Sequence, residues 1–92
     1  MPPCYAFNKV VGIHCFFIRF GHKSIPFLNM ICNGTDMHVV VVIRDLNGGV
    51  YNGTPTSNAT WKTFLTTWLR FFYEPEILIS DGSPEFDGRF AR

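Results

Sequence analysis

The sequence carries little charge. Of its 92 residues only 16% are Asp, Glu, Lys or Arg, and eight basic against seven acidic side chains leave a formal net charge of +1. A strongly basic chain would point to nucleic acid on charge alone; here that partner has to be argued from motifs. Long apolar runs are also missing. The best candidate, Val10–Ile18 (VVGIHCFFI), is interrupted by His14 and is far short of the ~20 apolar residues that span a bilayer, so no membrane association is expected. No small-residue cleavage site follows it, which argues against a secretory leader. Cysteine is scarce and odd in number: Cys4, Cys15 and Cys32. That excludes a disulfide framework and predicts free thiols in a reducing compartment, hence an intracellular (nuclear or cytoplasmic) protein. Cys4, His14, Cys15 and His22 lack the paired ligand spacing of a structural zinc site.

What the chain does have is apolar mass. Hydrophobic residues make up 47% and aromatics 16%, which excludes a disordered tail. The length allows one domain at most. So apolar a chain with so few charges is expected to leave greasy surface uncovered, as one part of a larger fold would, and to be open to self-association through a free sheet edge.

Residues 1–24 resist assignment, because Val10–Phe20 has no clean period and reads equally as a strand or a buried segment. From residue 25 the pattern sharpens into an expected domain over 25–92. Ile25–Cys32 is strand-length, with Pro26 confining it to a strand start or an edge. Asn33-Gly34-Thr35-Asp36 is a hairpin-type turn. Met37–Ile43 (MHVVVVI) has four consecutive valines and no polar face, which predicts a strand buried on both sides. Asn47-Gly48-Gly49 is a second turn, and Val50-Tyr51 begins a short third strand. Three Asn-x-Thr triplets, at Asn33, Asn52 and Asn58, would be glycan acceptors in a small secreted glycoprotein; here they read as two turns and a helix start.

Ser57 or Asn58 is placed to cap a helix. Trp61, Phe64, Leu65, Trp68, Leu69, Phe71 and Phe72 then recur at three- and four-residue steps, one apolar face of an amphipathic helix of about 15 residues. Lys62, Thr63, Thr66, Thr67 and Arg70 fall mainly on the other face. Pro75 stops the helix, Ile77-Leu78-Ile79 is a short strand, and Ser80-Asp81-Gly82-Ser83-Pro84 is the loop at its carboxyl end, where ligands of open α/β sheets sit. An acid there is well placed to hold a metal, although Asp-Gly is also a plain turn signal.

The segment His38–Phe86 resembles the catalytic core of retroviral and retrotransposon (Ty3-like) integrases. The resemblance rests on the valine-rich strand ending in an acid and a small turn (VVVVIRDLNGGV), the Trp-bearing helix (TWKTFLTTWLRFF), and above all the proline, short strand and Ser-Asp loop (EPEILISDGSPEF). It implies an α/β fold, a partial RNase H-like sheet of three strands joined by short turns, one long helix, then a fourth strand. It also implies DNA integration as the ancestral activity, a polynucleotidyl transfer on DNA using Mg²⁺ or Mn²⁺. In the family two Asp and one Glu hold a pair of these ions, and the second Asp falls on Asp81, the one catalytic and metal-binding residue that carries over.

The rest of that set is missing. The first acid is expected on the strand before the valine run, which reads IPFLNMIC and offers only Pro26 or Asn29. Asp36 and Asp45 are poor substitutes by position. The Glu should lie several dozen residues beyond Asp81, where only 11 residues follow (92−81), and Glu85 is not it. Gly82-Ser83 also stand where the family usually has Asn-Gly or Gln-Gly. The expectation is a truncated core with a degenerate active site and no enzyme activity as an isolated chain. Residual DNA contact would run through Arg44, Lys62, Arg89 and Arg92. The alternative is a non-enzymatic interaction module.

Overall fold

A computed structural model describes residues 10–32, 37–72 and 74–87. The chain forms strands β1 (Val10–Phe20), β2 (Lys23–Cys32) and β3 (His38–Val42), helix α1 (Ser57–Phe64) continuing as a π-helical turn (Leu65–Leu69), strand β4 (Ile77–Ser80), and a 3-10 turn (Pro84–Phe86). The strands make one mixed sheet in the order β3-β2-β1-β4. β1–β2 and β2–β3 are antiparallel and β4 joins β1 in parallel.

The longest strand arises in the segment that sequence left unassigned. Val10–Phe20 pairs with β2 across a two-residue turn at Gly21-His22, where Gly21 takes φ 63°, a conformation glycine adopts without a Cβ clash. Its side chains alternate faces. Val11 and Ile13 enter the core beside Leu28, Met30 and Cys32 of β2, while Gly12, His14 and Phe16 face the other way, opposite Ile31, Asn29 and Phe27. Both sets are largely apolar, so no polar–apolar alternation marks the strand.

Helix α1 covers one side of the sheet. Ala59, Phe64 and Trp68 complete the core with Ile43 and Phe86, all at most 5% exposed. The π-helical turn has a geometric consequence. On an α-helix every fourth residue drifts around the axis, whereas the wider turn rotates less per residue. Phe64, Trp68 and Phe72 therefore stay over the sheet, with the Phe72 ring centroid 4.5 Å from that of Trp68 and tilted 43° to it. The inward face thus differs from the expected one. Leu65 (44% exposed) and Phe71 (65%) point out, while Thr60 and Thr63 are buried, each donating its hydroxyl to the carbonyl four residues back, 2.9 and 3.0 Å away. The cap is Thr56 rather than Ser57 or Asn58: its Oγ1 accepts from Ala59 N at 3.2 Å, and the Ser57 hydroxyl instead donates to the Asp87 carbonyl.

Other expectations are corrected. The valine strand is not buried on both sides: β3 is an edge strand and Val40 is 45% exposed, because the helix packs on one face only. Pro26 lies inside central β2, buried, not at a strand start or an edge. It is tolerated because its carbonyl, and so the side that lacks an N–H, faces β3 where that ladder ends, accepting from Ile43 N at 3.0 Å. Val50 makes only an isolated bridge to Arg44, not a strand. Cys32 is disulfide-bonded, which departs from three free thiols, while Cys15 is free. Asn52 and Asn58 lie in a loop and in the first turn of α1, as read, with Asn52 Oδ1 accepting from Ser24 N at 2.9 Å. The Asn33–Asp36 turn lies outside the described residues. No described helix is long and apolar enough to cross a membrane.

Candidate functional site

Asp81 follows β4 directly, at the carboxyl end of a strand parallel to β1. Its Oδ1 accepts from Ser83 N (3.0 Å) and Ser83 Oγ (2.7 Å), a local turn in which Gly82 takes φ 78°. The Ser83 hydroxyl bond is the main reason the carboxyl sits below its ordinary range, with a smaller contribution from the nearby His14. Asp81 is exposed, so it is an anion at neutral pH with one oxygen committed to its own loop.

Its neighbours come from β1 and β2. The β1–β4 ladder ends at Ile13↔Ser80, and its next step sets His14 beside Asp81. His14 in turn lies opposite Asn29 on β2. Asn29 Nδ2 is 3.3 and 3.4 Å from the two ring nitrogens of His14, and Asn29 Oδ1 accepts from His38 Nε2 on β3. A polar row therefore crosses the sheet on the face without the helix, and Asn29 is only 6% exposed at its centre. Burial of that amide is tolerable because both of its ends are hydrogen-bonded.

Behind this row, on the core side, the 3-10 turn brings Glu85 (4% exposed) to Cys15. Burial, then the Glu85 charge and hydrogen bond, push the Cys15 thiol up to about 12, so it is a protonated donor rather than a nucleophile at neutral pH.

The sheet order bears on the strand where the resemblance placed the first acid. Ile25–Cys32 is not adjacent to β4; β1 is, and the position beside Asp81 is His14, with Asn29 one strand further and Pro26 remote on the core face. Asp45 is not brought to Asp81. Its Oδ1 is held by Asn47 N (2.9 Å) and Gly49 N (2.7 Å) in the loop after β3. Glu85 points to Cys15. Arg44 and Lys62 line one cleft on the helix side of the sheet. Asp36, Arg89 and Arg92 lie outside the described residues.

Two Mg²⁺ or Mn²⁺ ions require several oxygen ligands, mostly carboxylates. Beside Asp81 stand an imidazole and, beyond it, a neutral amide whose oxygen is already engaged. This donor set does not fit the ion pair. Among the described residues no group of three or more His, Cys, Asp or Glu side chains is arranged to hold a metal. Sequence reading noted His14 inside an apolar run but missed its partnership with Asn29 and Asp81; the signal was the Gly21-His22 turn, which fixes the hairpin register.

Fold and site together define a small mixed α/β domain, among the described residues a four-stranded mixed sheet with one helix. Comparison with known protein families, curated proteins and solved structures finds no match.

Proposed function

We propose that the chain is an RNase H-like domain derived from a retroelement integrase core, with DNA as its ancestral partner and without catalytic activity of its own. The observation that carries this reading is the placement of Asp81, in the SDGSPEF loop, at the end of a short strand that reaches the sheet through a helical crossover and lies parallel to β1. The SDGSPEF loop is also the most specific part of the resemblance. Inactivity follows from the neighbours. Two-metal phosphoryl transfer needs carboxylates converging on both ions, and here the residue beside Asp81 is His14.

Titration with Mg²⁺ or Mn²⁺ followed by a strand-transfer assay on short duplex DNA tests this. Affinity no better than millimolar and no joined product are expected; joined product from the unaltered chain overturns the inactive reading. The variant His14→Asp sets a second carboxylate beside Asp81 and is expected to tighten Mn²⁺ binding at least tenfold, roughly 1.4 kcal/mol. No tightening would mean that the two side chains do not share an ion-accessible space.

One observation favours a second reading, a self-associating interaction module. The sheet face away from the helix exposes Val40, Ile31, Ile77 and Ile79 at 40–56%, and among the described residues β4 is an edge strand without the Lys, Pro or bulge that usually blocks edge pairing. Sedimentation across a concentration series distinguishes a monomer from this assembly.

A further inference from the structure

The cleft on the helix side, about 210 Å³, lies between the end of β3 with its following loop and the junction of α1 with its π-helical turn, and its walls include Arg44, Asp45, Lys62, Thr63, Thr66 and Thr67. Two cations 18 residues apart in sequence are brought together there by the same loop. Arg44 Nη1 donates to Gly48 O at 3.2 Å, and Lys62 Nζ donates to Leu46 O at 3.2 Å. Each is thus oriented by one bond to a loop carbonyl, which leaves most of its donors free: a guanidinium carries five N–H and an ammonium three. Neither is paired with a carboxylate among the described residues.

The remaining groups determine what such a pair can accept. Asp45 shares the cleft, but its Oδ1 is held by two loop N–H groups, and Oδ2 lies so close to Gly49 that a Cβ there would be 2.8 Å away. Its carboxylate is turned into its own loop. The hydroxyls of Thr66 and Thr67 donate to helix carbonyls of Lys62 and Thr63, so the donors open to a ligand are those of Arg44 and Lys62. Two unpaired cations against a half-buried wall suit one compact polyanionic group, and a guanidinium fork matches the spacing of phosphate oxygens.

We propose that this cleft binds a phosphate group, either a phosphodiester of a nucleic-acid backbone or free phosphate. The nucleic-acid source rests on the reading above; the cleft itself does not, since it uses none of the Asp81 row.

The test is an amide-shift titration of the whole chain by NMR, once with inorganic phosphate and once with short duplex DNA. Saturable shifts at Arg44, Lys62 and Thr66, weakened at least tenfold in Arg44→Gln/Lys62→Gln and kept in Lys62→Arg, support the cleft. For duplex DNA, loss of two phosphate contacts should also lower the salt slope by ~2. Both side chains are exposed, and an unchanged circular dichroism spectrum verifies that the double variant folds. Phosphate binding without duplex binding supports the cleft with a free-anion ligand and counts against the nucleic-acid reading. Duplex binding untouched by the double variant, or phosphate shifts elsewhere on the chain, overturns the cleft and leaves that reading standing.

Discussion

Trp68 is fully buried, packs in a tilted arrangement against Phe72, and its indole N–H has no hydrogen-bond partner among the described residues. Two truncations separate the packing of this side chain from its unsatisfied donor. Trp68→Ala removes almost the whole side chain from the centre of the core, which costs ~3–5 kcal/mol at sites of this kind. Trp68→Phe keeps an aromatic ring against Phe72 and leaves a void of roughly 40 Å³, worth about 1 kcal/mol at the usual cavity coefficient, plus a smaller transfer loss. It also deletes the orphan donor, and a buried unpaired polar group costs about 1–3 kcal/mol. The two effects oppose, so Trp68→Phe is expected to lie within about 1 kcal/mol of the parent, and the gap between the variants to be at least ~2 kcal/mol. Urea unfolding followed by far-ultraviolet circular dichroism reads both. If Trp68→Phe is as damaging as Trp68→Ala, the indole N–H is hydrogen-bonded after all, and the packing assigned to the π-helical turn is misjudged.

Cys15 makes a pH prediction. Its folded pKa is raised, so its stability contribution is complete below the ordinary thiol value of 9.0 and is lost as pH rises from there toward about 12. Glu85→Gln removes one cause and should speed alkylation of Cys15 at alkaline pH, measured by site-resolved mass spectrometry, while burial keeps the thiol above its ordinary value; an unchanged rate would show that the two groups do not interact. Thr56→Ala deletes the cap on Ala59 N and should cost ~1 kcal/mol in the same urea assay, with Thr56→Ser retaining most of it; no loss would return the cap to Ser57 or Asn58.

The elements legible in the sequence were those with a local signature. The valine run, the Trp-bearing helix, the Ile77–Ile79 strand and the position of Asp81 at its end all follow from short-range pattern. β1 did not, because Val11 and Ile13 enter the core while Phe16 and Ile18 lie on a face that is also apolar, leaving no period of two to detect. The π-helical turn was illegible for a related reason: three- and four-residue spacing places Leu65 with Phe64 and Trp68, and only the contact with the sheet decides which of them turns in. Pro26 read as an edge signal, yet a proline needs only one unpaired side, and the end of a neighbouring ladder supplies it. In the site, Asp81 was found and its neighbour was not. Strand order is a long-range property: Ile25–Cys32 precedes the valines in sequence, while the partner of β4 is the strand before that.

Both functional readings use the same end of the open sheet face. The polar row ends at Asp81 and His14, flanked by exposed Ile77 and Ile79 of β4. An ion between Asp81 and His14 and a second chain laid over β4 would exclude one another. A covering partner would have to desolvate the Asp81 carboxylate, which is costly unless it brings a counter-charge. The row also limits a purely apolar partner, since Asn29 already has a hydrogen bond at each end and gains nothing from dry contact. His14→Asp therefore acts in opposite directions on the two readings: it adds a carboxylate that an ion can use, and it adds a second charge that an apolar interface would have to bury. If the variant gains Mn²⁺ affinity while the parent sediments as a monomer, the face is open to an ion and not covered by a second chain. If the parent associates and the variant is driven to monomer with no gain in ion affinity, the apolar flank rather than the polar row is what this surface presents to a partner.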